Sequence, residues 1–435
     1  MIRQLTAETT DCDFKEAVEH AKPKSWLKSV SAFANTKGGT LVFGVSDKDH
    51  EVVGLQDAQA EADFISQAVR DRFDPVPQFE IIAERENNKD ILVLSVAEGD
   101  TPPYYYRADG RMEAFIRMGN SSVVADATQL LGLVLKGTHQ TWDALDSGID
   151  VERASFSVLK ATYANRMHDM LDDADLASFG LFTEHGTLTN AGAVLADEPL
   201  VRHSRVFCTR FVGYMENDFD DTAEIEGSLL YLLREAQAFV KRHSTESWEK
   251  TDDSRIERRD YSVRAVEEAL VNALVHRSYL NLGSEVHVDM YDDRMEISSP
   301  GGKLGAPLPE DVETTRIKSE RRNPIVADVL SRMNLMERRG TGLREICRLT
   351  SIEDAYKPEF KPKFESDEHS FTVTLYNMNY SAELPGSPSS SPKFPEVPRT
   401  GKLPPPSFPQ TSLPHLPTYR KRATLPPQRW QKYLG

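Results

Sequence analysis

The run Glu267-Glu-Ala-Leu-Val-Asn272-Ala-Leu-Val-His276-Arg277 concentrates chemistry at helical spacing. Glu268 and Asn272 are four apart and share a helix face, while Leu270, Val271, Leu274 and Val275 form an apolar stripe. A carboxamide oxygen can ligate a Mg²⁺ held by phosphates, and a carboxylate one turn away can orient an attacking water. His276 and Arg277 fall at the helix C-terminus, where a cation is favourable. Taken alone, the run reads more readily as an ordinary amphipathic helix with a solvated face.

Downstream segments add to it. Ser298-Ser-Pro300-Gly301-Gly302 follows a strand-like stretch and lets backbone approach a ligand closely. Glu337-Arg-Arg-Gly340-Thr341-Gly342-Leu343 opens a helix with glycines and a hydroxyl, the kind of N-terminus whose free N–H groups bind phosphate. Arg322-Asn323-Pro324 lies between them. Each glycine pair is weak by itself, but the order is specific.

That order resembles the divergent GHKL ATPase domain found at the C-terminal side of transcriptional regulators that begin with a schlafen/AlbA-type domain. The resemblance implies that Asn272 holds the Mg²⁺ of ATP and that Glu268 is the general base of a weak ATPase. It places nucleotide contacts at Asn272, His276, Arg277, Gly301, Gly302, Gly340, Thr341 and Gly342. One departure is clear: the family's Asp-x-Gly-x-Gly box has an adenine-reading Asp, and here Ser299-Pro-Gly-Gly stands there, with Asp292 and Asp293 lying earlier. The expectation is therefore a nucleotide-binding switch rather than a motor.

A second resemblance lies upstream. Asp13-Phe-Lys15, Ala32-Phe-Ala-Asn35-Thr-Lys-Gly38-Gly39, Val52-Val-Gly-Leu55, Pro102-Pro-Tyr104 and Phe115-Ile-Arg117-Met-Gly119 resemble the schlafen/AlbA-type domain over about residues 8–130. This implies nucleic-acid binding, with DNA expected over RNA. The candidate phosphate contacts are Lys15, Lys24, Lys28, Lys37, Arg107, Arg111 and Arg117, each of which is otherwise a solvated charge. Tyr104-Tyr-Tyr106 offers rings for base stacking, or for packing against a sheet edge. Some relatives cleave RNA with three carboxylates, and Glu8, Asp13 and Asp47 match them in type and rough spacing. Against this, Asp replaces the usual Glu at 13, and Thr10 stands where many relatives have an acid.

The elements that must position these residues divide the 435-residue chain four ways. The reading is α+β: a schlafen/AlbA-type domain over 1–136, a mostly helical connecting segment over 137–250, a GHKL α/β sandwich over 251–380, and a disordered tail over 381–435. The first domain should hold helices at Trp26–Asn35 and Ala58–Phe73 and strands at Thr40–Val45, Glu51–Val53, Phe79–Ala83 and Asp90–Val96. Next come a long amphipathic helix near Ser228–Arg242 and the helix Val263–His276. Strands at Glu285–Met290 and Arg294–Ser298, helices at Pro324–Met333 and Gly342–Thr350, and a strand at Ser370–Tyr376 complete the pattern. Thirteen of the 25 prolines lie beyond residue 384, which denies the tail regular hydrogen bonding.

Net charge is −16, against bulk electrostatic coating of nucleic acid. The tail carries +6, which leaves −22 on the first 380 residues. Nucleic-acid contact must therefore come from local patches. No apolar run approaches a membrane span, the N-terminus offers no signal peptide, and Cys12, Cys208 and Cys347 are too dispersed for a disulfide framework or a zinc site. A cytoplasmic protein that forms a homo-oligomer is expected, with the Pro-rich tail available to a protein partner. The alternatives are a metal-dependent nuclease, for instance in phage defence, and a non-catalytic interaction protein.

Overall fold

The computed structural model describes residues 10–46, 50–250, 255–303, 320–336, 342–367 and 369–380. The proline-rich tail with its expected disorder, Glu8, Asp47, Gly340 and Thr341 lie outside the described residues.

The chain opens with β1 (Cys12–Lys15), α1 (Lys24–Asn35) and β2 (Gly39–Phe43). In α1, Trp26, Leu27, Val30, Phe33 and Ala34 are fully buried, so the apolar spacing at 26–35 is the face that packs inward. Gly38 turns the chain at φ +78°, and a Cβ there would sit 2.8 Å from the Val96 carbonyl oxygen. Only glycine suits both conditions. There follow α2 (Ala58–Arg72), β3 (Phe73–Asp74), β4 (Phe79–Glu86) and β5 (Lys89–Val96). The strands β6 (Tyr105–Ala108), β7 (Arg111–Met118) and β8 (Ser121–Val124) and the helix α3 (Ala127–Gly137) come next. Two four-stranded sheets result, ordered β1-β2-β5-β4 and β3-β6-β7-β8. Residues 51–53 give only a bridge, Val45 to Val52, where a strand was expected.

Asn35 ties α1 to the second of these sheets and to the chain that enters it. Its Nδ2 donates to the carbonyls of Tyr104 (3.2 Å) and Phe115 (3.0 Å), and its Oδ1 accepts from the Tyr104 N–H (2.7 Å). The most specific part of the N-terminal sequence pattern thus has a structural cause: a buried amide that satisfies three backbone groups.

The expectation of a mostly helical segment over 137–250 meets a different arrangement. The segment holds β9 (Asp146–Asp150), α4 (Ser157–Met167), α5 (Asp173–Ser178), β10 (Thr187–Thr189) and α6 (Asn190–Leu195). It continues with β11 (Arg205–Phe211), β12 (Phe219–Glu226), α7 (Leu229–Arg242) and β13 (Glu246–Lys250). Beyond it come β14 (Arg255–Arg259), α8 (Val263–His276), β15 (Val286–Met290), β16 (Arg294–Pro300), α9 (Pro324–Arg332), α10 (Gly342–Ser351), β17 (Lys363–Ser366) and β18 (Ser370–Tyr376).

One six-stranded sheet spans the expected boundary at 250, in the order β12-β11-β15-β16-β18-β17. Its second and third strands, β11 and β15, are parallel, with Val206 beside Val286 and Cys208 beside Val288. β11 has a weak sequence signal because its alternation runs Arg, Phe, Thr, Phe on the outer face and Val, Cys, Arg on the inner. The inner positions pack against α7, α8 and α9 in a single core that includes Leu232, Phe239, Ala269, Leu270, Val288, Ile297 and Leu330. The fold is a mixed α+β chain, and no helix among the described residues is long and apolar enough to cross a membrane.

Candidate functional site

The helix α8 carries the pair that opened the sequence analysis. Asn272 Nδ2 donates to Glu268 Oε1 at 3.1 Å, so the two half-buried side chains act as one polar unit on an otherwise buried helix. The N-terminus of α10 lies directly on this unit. A Cβ added to Gly342 would fall 2.8 Å from Asn272 Nδ2, 2.8 Å from Glu268 Oε1 and 3.2 Å from Asn272 Oδ1. Glycine therefore lets the start of the helix pack directly on the carboxamide and the carboxylate. The N–H groups of such an N-terminus favour an anion, and the amide and carboxylate oxygens suit a hard cation beside it. This donor set fits a Mg²⁺-nucleotide: Asn272 would hold the metal and Glu268 would face the water side. Gly340 and Thr341, which precede this point, lie outside the described residues.

Other candidates from the sequence are committed elsewhere. Arg277 is fully buried; it donates to the carbonyls of His203 (2.8 Å) and Ser284 (2.7 Å) and lies 4.7 Å from the Tyr279 ring. It stitches the chain after α8 and has no polar end turned outward. His276 has its pKa pushed down to about 4 by burial, then by Arg322 and Arg321. At neutral pH it is uncharged, so His276 itself supplies no cation at the helix C-terminus.

The α8 C-terminus is satisfied from outside the helix. Arg322 donates to the His276 carbonyl (3.0 Å) and to Gly302 O (2.8 Å), and Asn323 Nδ2 donates to the carbonyls of Val275 (2.8 Å) and Arg277 (3.0 Å). This explains the Arg322-Asn323 pair as a clamp on orphan helix carbonyls. Gly301 adopts φ +88°, and a Cβ there would meet Arg322 and Ser278; one on Gly302 would lie 1.7 Å from the Asp367 carbonyl oxygen. The two glycines admit protein atoms, so what they position is the turn itself.

Two residues without a sequence signal anchor this end of α8. Trp142 stacks on Tyr279 with ring centroids 4.4 Å apart and planes 8° from parallel. Asp143 is fully buried, and its Oδ2 accepts from the N–H groups of Ile325 (2.7 Å) and Val326 (3.2 Å) while Thr141 donates to Oδ1. It caps α9 in place of Asn323, which makes no side-chain cap bond and turns its Nδ2 to the α8 carbonyls. Burial raises the Asp143 pKa in spite of these bonds. Because the cap comes from nearly two hundred residues upstream, no local pattern announces it.

In the N-terminal domain, few of the basic candidates stay uncommitted. Lys15 pairs with Asp13 (2.8 Å) and Lys24 with Glu113 (2.5 Å), while Arg107 pairs with Asp74. Arg117 is buried, donates to Thr10 O (2.9 Å) and Ser122 (3.2 Å), and lies 5.0 Å from the Phe33 ring. Lys28, Lys37 and Arg111 show no ion pair among the described residues, and Lys37 and Arg111 are exposed. Asp13 is buried and also accepts from Ser29 (2.7 Å), which in turn accepts from Ser122. Of the three nuclease carboxylates, it alone lies within the described residues, where no cluster of three His, Cys, Asp or Glu suited to a metal occurs. Tyr104 and Tyr106 are core residues, which leaves Tyr105 half-exposed.

Comparison with known proteins finds family matches over two separate stretches of the chain. Residues 8–126 match the family described as "Schlafen, AlbA_2", and residues 283–375 match "Putative ATP-dependent DNA helicase recG C-terminal". The "Uncharacterized ATP-binding protein UU034" of Ureaplasma parvum serovar 3 is 24% identical over 124 residues, which are 26% of this chain and 34% of that protein. The match thus spans about a third of that relative. Among solved structures, the DIP2311 protein of Corynebacterium diphtheriae is 20% identical with a TM-score of 0.48, covering 85% of this chain and 75% of that one. The N-terminal domain of a RecG-related helicase protein from Nitrosomonas europaea is 25% identical with a TM-score of 0.23, over 29% of this chain and 90% of that one. The chain carries a Schlafen AlbA_2 domain at its N-terminal side, followed by a RecG-C-terminal-like ATPase domain.

Proposed function

We propose that this protein is an ATP-binding, nucleic-acid-binding regulator of transcription, with DNA as its ligand. The observation that carries the proposal is the convergence of Gly342 at the α10 N-terminus on the Glu268–Asn272 pair. That arrangement supplies anion donors and metal-ligating oxygens at one point. Asn272 would hold the Mg²⁺ of a bound nucleotide, and the hydrogen bond from its Nδ2 positions Glu268, which would orient water. Ser299, buried at the position of the family's adenine-reading Asp, offers a hydroxyl in its place, so slow hydrolysis is expected.

A route between the two domains supports regulation. The chain leaves the N-terminal domain through α3 and within a few residues reaches Trp142 and Asp143. These are fixed to Tyr279 just after α8 and to the first turn of α9. A shift of α8 on nucleotide binding therefore reaches the exit of the DNA-binding domain through buried, hydrogen-bonded groups rather than a loose linker.

The test is the affinity of the full chain for fluorescent duplex DNA, by anisotropy, with and without ATP and Mg²⁺. The expected result is an affinity that changes with nucleotide, and a salt dependence whose log–log slope drops by about 2 in Lys28→Ala/Lys37→Ala. Binding indifferent to both the nucleotide and the double substitution would refute it.

A further inference from the structure

β12 is an end strand of the six-stranded sheet, and one side of its backbone has no ladder partner in that sheet. From Glu216 to Glu226 its hairpin arm carries six carboxylates, Glu216, Asp218, Asp220, Asp221, Glu224 and Glu226, and no Lys or Arg. Val212, Tyr214, Met215 and Phe219 stand half or more exposed at the hairpin tip. Unpaired strand edges are templates for another chain, and proteins usually blunt them with lysine, proline or a cover. Here the edge is eight residues long, has no lysine or proline along it, and carries charge of one sign only.

The two faces of the edge state what would pair with it. Thr222, Glu224 and Glu226 lie on the outer face, while Ala223 and Ile225 lie on the inner face beside Cys208 and Val206. A strand added here places alternate side chains against carboxylates and against small apolar groups. Glu224 and Glu226 share one cation, Arg205, and Asp221 meets Arg242 and His243. Asp218 and Asp220 have no ion pair among the described residues, so the arm keeps a negative surplus.

A second copy suits this edge poorly. In the three central antiparallel registers, β12 against itself sets Asp221 opposite Glu224, Asp220 opposite Glu224, or Asp220 opposite Glu226. Like charges directly opposite are destabilising.

We propose that β12 is a docking edge for a basic, extended segment of a partner protein, one alternating Lys or Arg with β-branched residues. The partner adds as a seventh strand, drawing affinity from main-chain hydrogen bonds and specificity from the carboxylate row. The exposed tip residues Val212, Tyr214, Met215 and Phe219 give its end an apolar seat.

The experiment uses the full chain and three capped octapeptides: alternating Lys–Val, alternating Glu–Val, and Lys–Val with a central proline. Affinity is read by anisotropy and location by amide hydrogen exchange. The Lys–Val peptide should bind, weaken with salt, and slow exchange at residues 219–226. The Glu–Val and proline peptides, and the Asp218→Lys/Asp220→Lys protein with the Lys–Val peptide, should each bind about tenfold more weakly. Equal affinity for the Lys and Glu peptides, or protection away from β12, would overturn the proposal. A dimer seen by light scattering whose interface protects β12 would assign the edge to a second copy and overturn it equally.

Discussion

Replacing Asp143 by alanine should lower the stability of the sheet-bearing domain by about 3 kcal/mol. Two helix N–H groups, those of Ile325 and Val326, lose their acceptor, and Asp143 is fully buried, so water cannot substitute without a cavity. In a domain of this size that loss lowers the melting temperature by roughly 10 °C. Asp143→Asn keeps an acceptor of nearly the same shape and avoids the cost of burying a charge, so it should lose about 1 kcal/mol. The sign of that difference follows from the raised Asp143 pKa, whose first cause is burial. Above the folded pKa the buried carboxylate is charged and bears that cost; Asn bears none at any pH. Calorimetry of the wild type and both variants at pH 8 checks the order. An alanine variant as stable as wild type would show that α9 does not depend on this distant cap.

Gly342→Ala should separate folding from nucleotide binding. Its Cβ would come within 2.8 Å of Asn272 Nδ2 and Glu268 Oε1, closer than such contacts run. Both are the far ends of side chains, so the fold can yield by turning them aside, and alanine favours a helix over glycine. Stability should therefore stay within about 1 kcal/mol of wild type. The displaced pair should weaken ATP affinity at least about tenfold, a cost of about 1.4 kcal/mol. Isothermal titration with ATP and Mg²⁺ measures this directly. Unchanged affinity with the pair displaced would remove Gly342 from the site.

The sequence disclosed the elements whose side chains alternate or recur cleanly. α8, α9, α10 and β18 fall within a residue or two of their expected bounds, because apolar periodicity and caps sit within each segment. β11 and β12 stayed hidden. Phe and Arg share the outer face of β11, and β12 has four acids in eight residues, so neither reads as a buried strand until the sheet is assembled. The Glu268–Asn272 pair was legible because helical spacing is local. Its closure by Gly342 could be read only as a glycine near a helix start.

The opposite error also has a physical cause. Arg277, Gly301 and Gly302 carry the residue types of a phosphate site, yet buried backbone carbonyls demand the same guanidinium and the same close approach. Lys15 and Arg117 likewise show the charge that a nucleic-acid surface needs, but are drawn inward by Asp13 and by the Thr10 carbonyl. Residue type names a chemistry, and only the neighbours decide whether a ligand or the protein itself receives it.

The central claim is that α8 and the start of α10 form a Mg²⁺-nucleotide site, and a thermal-shift titration of the full chain with ATP and Mg²⁺ tests it most directly. At 100 times the dissociation constant, binding should stabilise the protein by about 2.7 kcal/mol, raising the melting temperature by several degrees. Asn272→Ala, which removes the proposed metal ligand and leaves the α8 core face intact, should show no such rise. A wild type that does not shift at millimolar ATP and Mg²⁺, or an Asn272→Ala protein that shifts as far as wild type, would contradict it.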